Sequence, residues 1–182
     1  MIAGLPAAGI SGTLVPLYQM EPAKPDIPMP QDPRTQSGSF HLSAPRERVF
    51  ALFTAAGERQ WVPGWDPVLL SGAEERGSAF RTRGHDGVET TWIVIDYSPS
   101  EGRVGYARLA QESHIGLVDV LCTECADGGT EVSVRYTLTP LHEAAAARVE
   151  EFLGERQYAR MLDGWRAATS AVLAGGEAGG QE

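Results

Sequence analysis

Positive charge is scarce in this sequence of 182 residues: 15 Lys plus Arg stand against 24 Asp plus Glu, a formal net charge of −9 with a pI near 4.9. That deficit excludes a nucleic-acid binder, which needs clustered positive charge to displace counterions from phosphates. It also disfavours attachment to anionic membrane surfaces. Cysteine is nearly absent. Cys122 and Cys125 are too few for a disulfide framework and read as reduced thiols. No segment approaches the roughly 18 uninterrupted apolar residues of a membrane span. The apolar stretch 1–20 has no basic start and is interrupted by Gly4, Pro6, Gly9, Gly12 and Pro16, so it is a poor secretory leader. A cytoplasmic protein without membrane insertion is the expectation. Nucleophile-elbow, Walker and dinucleotide-binding glycine patterns are missing from any strand–turn–helix setting, and no cofactor is expected.

Hydrophobic residues make up 42% and charged residues 21% of the chain, which suits one packed domain of this length. Prolines 16, 22, 25, 28, 30 and 33 remove backbone donors and bias their predecessors to extended conformations. Residues 1–38 therefore read as an extended, Pro-rich arm, and residues 174–182 as a flexible Gly-rich tail. The body between them spans 39–173. Its first strand is expected at 40–42. A short helix follows Pro45 and buries Val49, Phe50, Leu52 and Phe53.

Five strand-like runs come next, at 78–83, 89–97, 103–109, 114–123 and 130–139, separated by Gly-, Pro- and Asp-rich turns. Alternation puts His114, Gly116, Val118, Val120 and Cys122 on one face of the fourth run. In the fifth, Val132, Val134, Tyr136 and Leu138 form the inward set. After Pro140 the apolar period becomes helical, with Val149, Phe152, Leu153, Met161, Leu162, Trp165, Ala168 and Val172 in one stripe. A bend is expected near Gly154. This order is α+β: a curved antiparallel sheet wrapped around a long C-terminal helix, with one or two short helices after the first strand.

The strand at 40–42, the helix APRERVFALFT, the loop WVPGWDP, the hairpin TTWIVIDYSPSEGRVGYARL, the strand ESHIGLVDV and the terminal amphipathic helix together resemble the START-like superfamily, the polyketide cyclase/dehydrase and lipid transport group with the helix-grip fold. The resemblance spans residues 39–173. It implies a cavity between the sheet and the long helix, used in that group for lipids, sterols or polyketides. Since the group also holds cyclases, dehydratases and a chaperone activator, three functions follow from it: apolar or amphipathic ligand binding, a cyclase/dehydratase-type enzyme, or a regulator of a protein partner.

The candidate ligand-binding residues are Trp61, Trp65, Tyr106, Arg108, His114, Val118, Tyr136, Met161 and Trp165. His114 lies on the inward face and could orient a ligand or move a proton near neutral pH, or else only satisfy a backbone carbonyl. Arg108 could anchor an anion, although an arginine there more often snorkels to solvent. Tyr106 or Tyr136 would stabilise an enolate in the enzyme reading. Trp61 and Trp65, in a Pro/Gly-constrained loop, are preferred over Trp92 as an entrance wall, and Met161 and Trp165 sit at core spacing on the helix. Cys122 and Cys125 form a C-x-x-C without the second pair a structural zinc site needs, so no metal site is expected.

Overall fold

In a computed structural model, which describes residues 31–72, 74–84 and 87–178, the chain forms a seven-stranded antiparallel sheet with helices on one side. The strands are β1 (Arg34–Leu42), β2 (Val68–Ser71), β3 (Ala79–Arg83), β4 (Glu89–Ser98), β5 (Arg103–Ala110), β6 (His114–Glu124) and β7 (Thr130–Pro140). Their spatial order is β1-β7-β6-β5-β4-β3-β2. Consecutive strands from β2 to β7 pair through hairpins, and β1 closes the far edge by pairing with β7 from Arg34↔Leu138 to Leu42↔Thr130. Between β1 and β2 lie α1 (Arg46–Ala51) and a single 3₁₀ turn, Gly57–Gln60. The C-terminal stripe supplies α2 (Glu143–Leu153) and α3 (Glu155–Ala178).

The expected helix-grip architecture is present, and the faces follow the alternation. Val118, Val120 and Cys122 of β6 and Val132, Val134, Tyr136 and Leu138 of β7 are buried against the helices. On the opposite sheet face Ile115, Leu117 and Leu121 remain exposed beside Ile93 and Leu109. A register shift between Val94 and Asp96 inserts a bulge in β4, a device that bends a strand and raises its twist.

Three boundaries differ from those expected. First, β1 starts at Arg34, not at residue 40, because Thr35, Gln36 and Ser37 find ladder partners on β7 although they lack an apolar pattern. The polar run placed at the end of an arm is thus an edge strand, and residues 1–30 of that arm lie outside the described residues. Second, the bend expected near Gly154 is a full break, which sets a short α2 before the long C-terminal α3. Gly154 takes φ −59°, ψ 135°, an extended conformation that breaks the helical ladder between Leu153 and Glu155. Third, α3 continues through Gly175 to Ala178, where a Gly-rich tail was expected, and residues 179–182 lie outside the description. β2, with all four residues exposed, has no burial pattern to announce it.

Candidate functional site

The centre of the inward face is β5. Its alternation sends Val104, Tyr106 and Arg108 toward the helices, and the register sets Arg108 opposite Trp92 on β4 and Gly116 on β6. Gly116 has no room for a side chain: a Cβ there would lie 2.2 Å from the Thr137 carbonyl oxygen and 2.6 Å from Leu138. The guanidinium of Arg108 lies inward, with its Cζ 4.6 Å from the centroid of the Trp92 ring. That ring stacks on Phe80, 5.8 Å away at 6°, and its Nε1–H donates to Thr82 Oγ1 at 2.9 Å, so the platform is fixed from both sides.

Arg108 therefore does not snorkel. It belongs to the central strand of the sheet, on the inward face, and the residue as a whole is half-buried. Its Nε is buried without a hydrogen-bond partner, and it forms no ion pair among the described residues. Burial pulls its pKa down, while the Tyr136 hydroxyl and the Glu58 carboxyl favour its charged form. Glu58 comes from the 3₁₀ turn, and burial pushes its pKa up to about 8 against the opposing pull of Arg108. At neutral pH the carboxyl is mostly protonated. The interior thus keeps a guanidinium charge with no carboxylate to balance it.

His114 opens β6 on the same face, at the turn whose residue Glu112 adopts φ 54°. Its Nδ1 is 3.0 Å from Ser113 Oγ, and its Nε2 is buried and unpartnered. Burial first, then the charges of Arg108 and Arg148, lower its pKa to about 4. The ring is neutral at pH 7 and a weak base. Arg108 and His114 line one pocket of about 400 Å³ with Thr90, Ser113, Glu112 and Arg148, where the β3–β4 and β5–β6 turns meet α2.

The other expected residues are distributed differently. Tyr106 lies beyond Trp92, in a smaller apolar pocket of about 150 Å³ shared with Phe80, Val94 and Tyr97. Its hydroxyl donates to the Phe53 carbonyl at 3.0 Å, and burial raises its pKa well above the usual tyrosine value. Tyr136 is buried, with its pKa pushed up to about 12, and its ring meets Phe152 and Tyr158 edge-on. Val118 sits between Tyr106 and Tyr136 in the register and is core.

Trp61, expected at an entrance, is instead core. It is 7% exposed, packs edge-on against Phe53 and Trp165, and spends its Nε1–H on the Leu52 carbonyl at 2.6 Å. Trp65 bonds the Ala55 carbonyl at 2.8 Å and rests against Phe80 and Trp92. Carbonyls between the end of α1 and the 3₁₀ turn capture both indoles, which pulls the rings inward. Trp92, ranked behind them, is the tryptophan that touches Arg108. Met161 and Trp165 are partly buried against the core from α3.

Sequence reasoning missed Glu58 and Arg148. Glu58 looked like one more surface carboxylate in an acidic chain. The only hint was its position between Phe53 and Trp61, in a turn too short to give all its side chains to solvent.

The profile of the polyketide cyclase/dehydrase and lipid transport family matches residues 34–169. The chain belongs to that family. Its members' profile begins at the first residue of β1, in accord with the sheet described above. No curated protein matches the chain. Among solved structures, an uncharacterised protein from Rhizobium leguminosarum is 21% identical with a TM-score of 0.59, covering 77% of this chain and 96% of that one. Ara h 8.0201 is 16% identical with a TM-score of 0.61, covering 79% and 99%. Norcoclaurine synthase from Thalictrum flavum, solved with dopamine and hydroxybenzaldehyde, is 10% identical with a TM-score of 0.59, covering 79% and 88%. At these identities the likeness establishes the helix-grip fold of this family member, a fold suited to hydrophobic ligands. Among the described residues, no helix is long and apolar enough to cross a membrane.

Proposed function

We propose that this family member binds an amphipathic small molecule carrying a carboxylate, with the acid group against Arg108 and the apolar body along the Trp92 platform. One observation carries the reading: an inward guanidinium with a buried, unpartnered Nε and no ion pair among the described residues, coupled to an interior carboxyl, Glu58, that burial holds protonated. An unbalanced interior charge is costly, and a ligand carboxylate would compensate it with a charge-assisted hydrogen bond. The 400 Å³ pocket falls within the about 300–1,000 Å³ typical of small-molecule sites, and neutral His114 can donate or accept there. Titration of dansyl-undecanoic acid against its methyl ester tests this. The acid binds saturably and at least about tenfold more tightly than the ester, the scale of one charge-assisted hydrogen bond. Equal affinities would refute it.

The enzyme reading gains one specific support, with a different residue from the one expected. Glu58, protonated until about pH 8, is coupled electrostatically to Arg108 and Tyr136 and has a proton affinity suited to a general acid. If the bound acid undergoes proton transfer, Glu58→Gln retains binding and loses turnover, and loss of both together would exclude this role.

A further inference from the structure

At the end of β6 opposite His114, the β6–β7 turn brings Cys125 and Asp127 to His41 of β1. The three donor atoms all lie within 4.8 Å of one another. His41 Nε2 is 3.1 Å from Asp127 Oδ2, and Cys125 and Asp127 flank the turn between β6 and β7. We propose that His41, Cys125 and Asp127 form a binding site for a borderline-soft divalent cation such as zinc, independent of the pocket at Arg108.

The turn is built in a way that presents these donors. Cys125 N–H donates to the Gly129 carbonyl at 2.9 Å, and Gly128 N–H to the Cys125 carbonyl at 3.0 Å. Asp127 Oδ1 accepts from Gly129 N–H at 2.9 Å, which fixes the carboxylate and leaves Oδ2 toward the imidazole. Gly129 makes the approach sterically possible, since a Cβ there would stand 2.4 Å from His41 Nε2 and 2.7 Å from its Cε1.

The donor set fits the ion. Zinc takes thiolate sulfur at about 2.3 Å and imidazole nitrogen or carboxylate oxygen at about 2.0–2.2 Å, which sets neighbouring donors about 3.3–3.7 Å apart in a tetrahedron. The His41–Asp127 separation of 3.1 Å is near that span, and the Cys125 sulfur already stands within 4.8 Å of both. Imidazole, thiolate and carboxylate together neutralise the two positive charges. His41 and Asp127 are exposed and Cys125 is half-buried, so the fourth position opens to water. A His–Asp ion pair alone is the competing account of the contact. The sequence pattern hid the site because its histidine enters from β1, across the sheet from the cysteine.

The test is titration of the full chain with Co²⁺ followed by absorption. Cys122 is buried, 1% exposed, so a thiolate-to-cobalt charge-transfer band in the near ultraviolet reports Cys125. The proposal predicts one equivalent of Co²⁺, tetrahedral visible bands, and displacement by Zn²⁺. Cys125→Ser abolishes the near-ultraviolet band, and His41→Ala and Asp127→Asn each weaken binding by at least about tenfold. Thermal melts of each variant without metal confirm that it is folded. Absence of saturable Co²⁺ binding, or binding unchanged in folded Cys125→Ser and His41→Ala, would overturn the assignment.

Discussion

Glu58 makes the stability of this protein depend on pH in a direction opposite to that of a salt-bridged carboxylate. In the unfolded chain its carboxyl ionises near 4.5; in the fold burial holds the proton until about 8. Between those values the native state binds a proton that the unfolded state has lost, so stability falls as pH rises. At about 1.4 kcal/mol per pH unit, the interval from 4.5 to about 8 amounts to roughly 5 kcal/mol, about two-thirds of it by pH 7. Glu58→Gln keeps the shape and a neutral group and removes the titration. Urea unfolding of both proteins at pH 5, 6, 7 and 8 measures this. The variant should exceed the wild type by about 1 kcal/mol at pH 5 and progressively more above, by roughly 3–5 kcal/mol at pH 8. Even half that gain stands clear of the about 10–15% uncertainty of extrapolated stabilities. Parallel pH profiles for the two proteins would show that Glu58 is ionised and solvated in the fold, and with it the premise of an unbalanced Arg108 would fall.

Three further outcomes follow from the same packing. Tyr106→Phe strands the Phe53 carbonyl that accepts its hydroxyl, and chemical denaturation should show a loss of about 1–2 kcal/mol, whereas an unchanged midpoint would mean that water replaces the bond. Gly116→Ala forces a Cβ against the Thr137 carbonyl and Leu138, and should cost at least about 2 kcal/mol while weakening ligand binding at the adjacent Arg108; a neutral effect in both assays would contradict the close approach. His114, whose folded pKa is about 4 against 6.5 when free, is a neutral ring in the fold that the unfolded chain protonates first. Stability should therefore fall as pH drops from 6.5 to 4, and His114→Ala should flatten that limb in thermal melts at graded pH.

Much of the fold was legible because two periodicities carry it. The alternation of Val118, Val120 and Cys122 against Ile115, Leu117 and Leu121 fixed both faces of β6, and the helical stripe from Val149 to Val172 fixed the partner layer. The failures share a cause: pattern reasoning sees burial, and edge strands show little of it. β2 is exposed throughout, and the first residues of β1 are held by ladder bonds to β7 with no apolar signature.

The candidate site was half legible. Inward placement of Arg108 and His114 follows from alternation, but their fates depend on neighbours from other elements. Arg108 lies inward with its guanidinium over the Trp92 ring. The fates of Trp61 and Trp65 turn on carbonyls at Leu52 and Ala55 that no spacing rule identifies. Glu58 became visible only when the 3₁₀ turn carried it to the interior, where its proton affinity is set by desolvation and by a guanidinium fifty residues downstream in the chain.

On this reading Arg108 receives the acidic group of the ligand. The most direct measurement is the affinity ratio of dansyl-undecanoic acid to its methyl ester in the wild type and in Arg108→Met, a replacement that keeps length and can rest on the Trp92 ring. The account predicts a wild-type preference of at least about tenfold for the acid, collapsing to near unity in the variant while the ester binds both proteins alike. A preference that survives in folded Arg108→Met would contradict it.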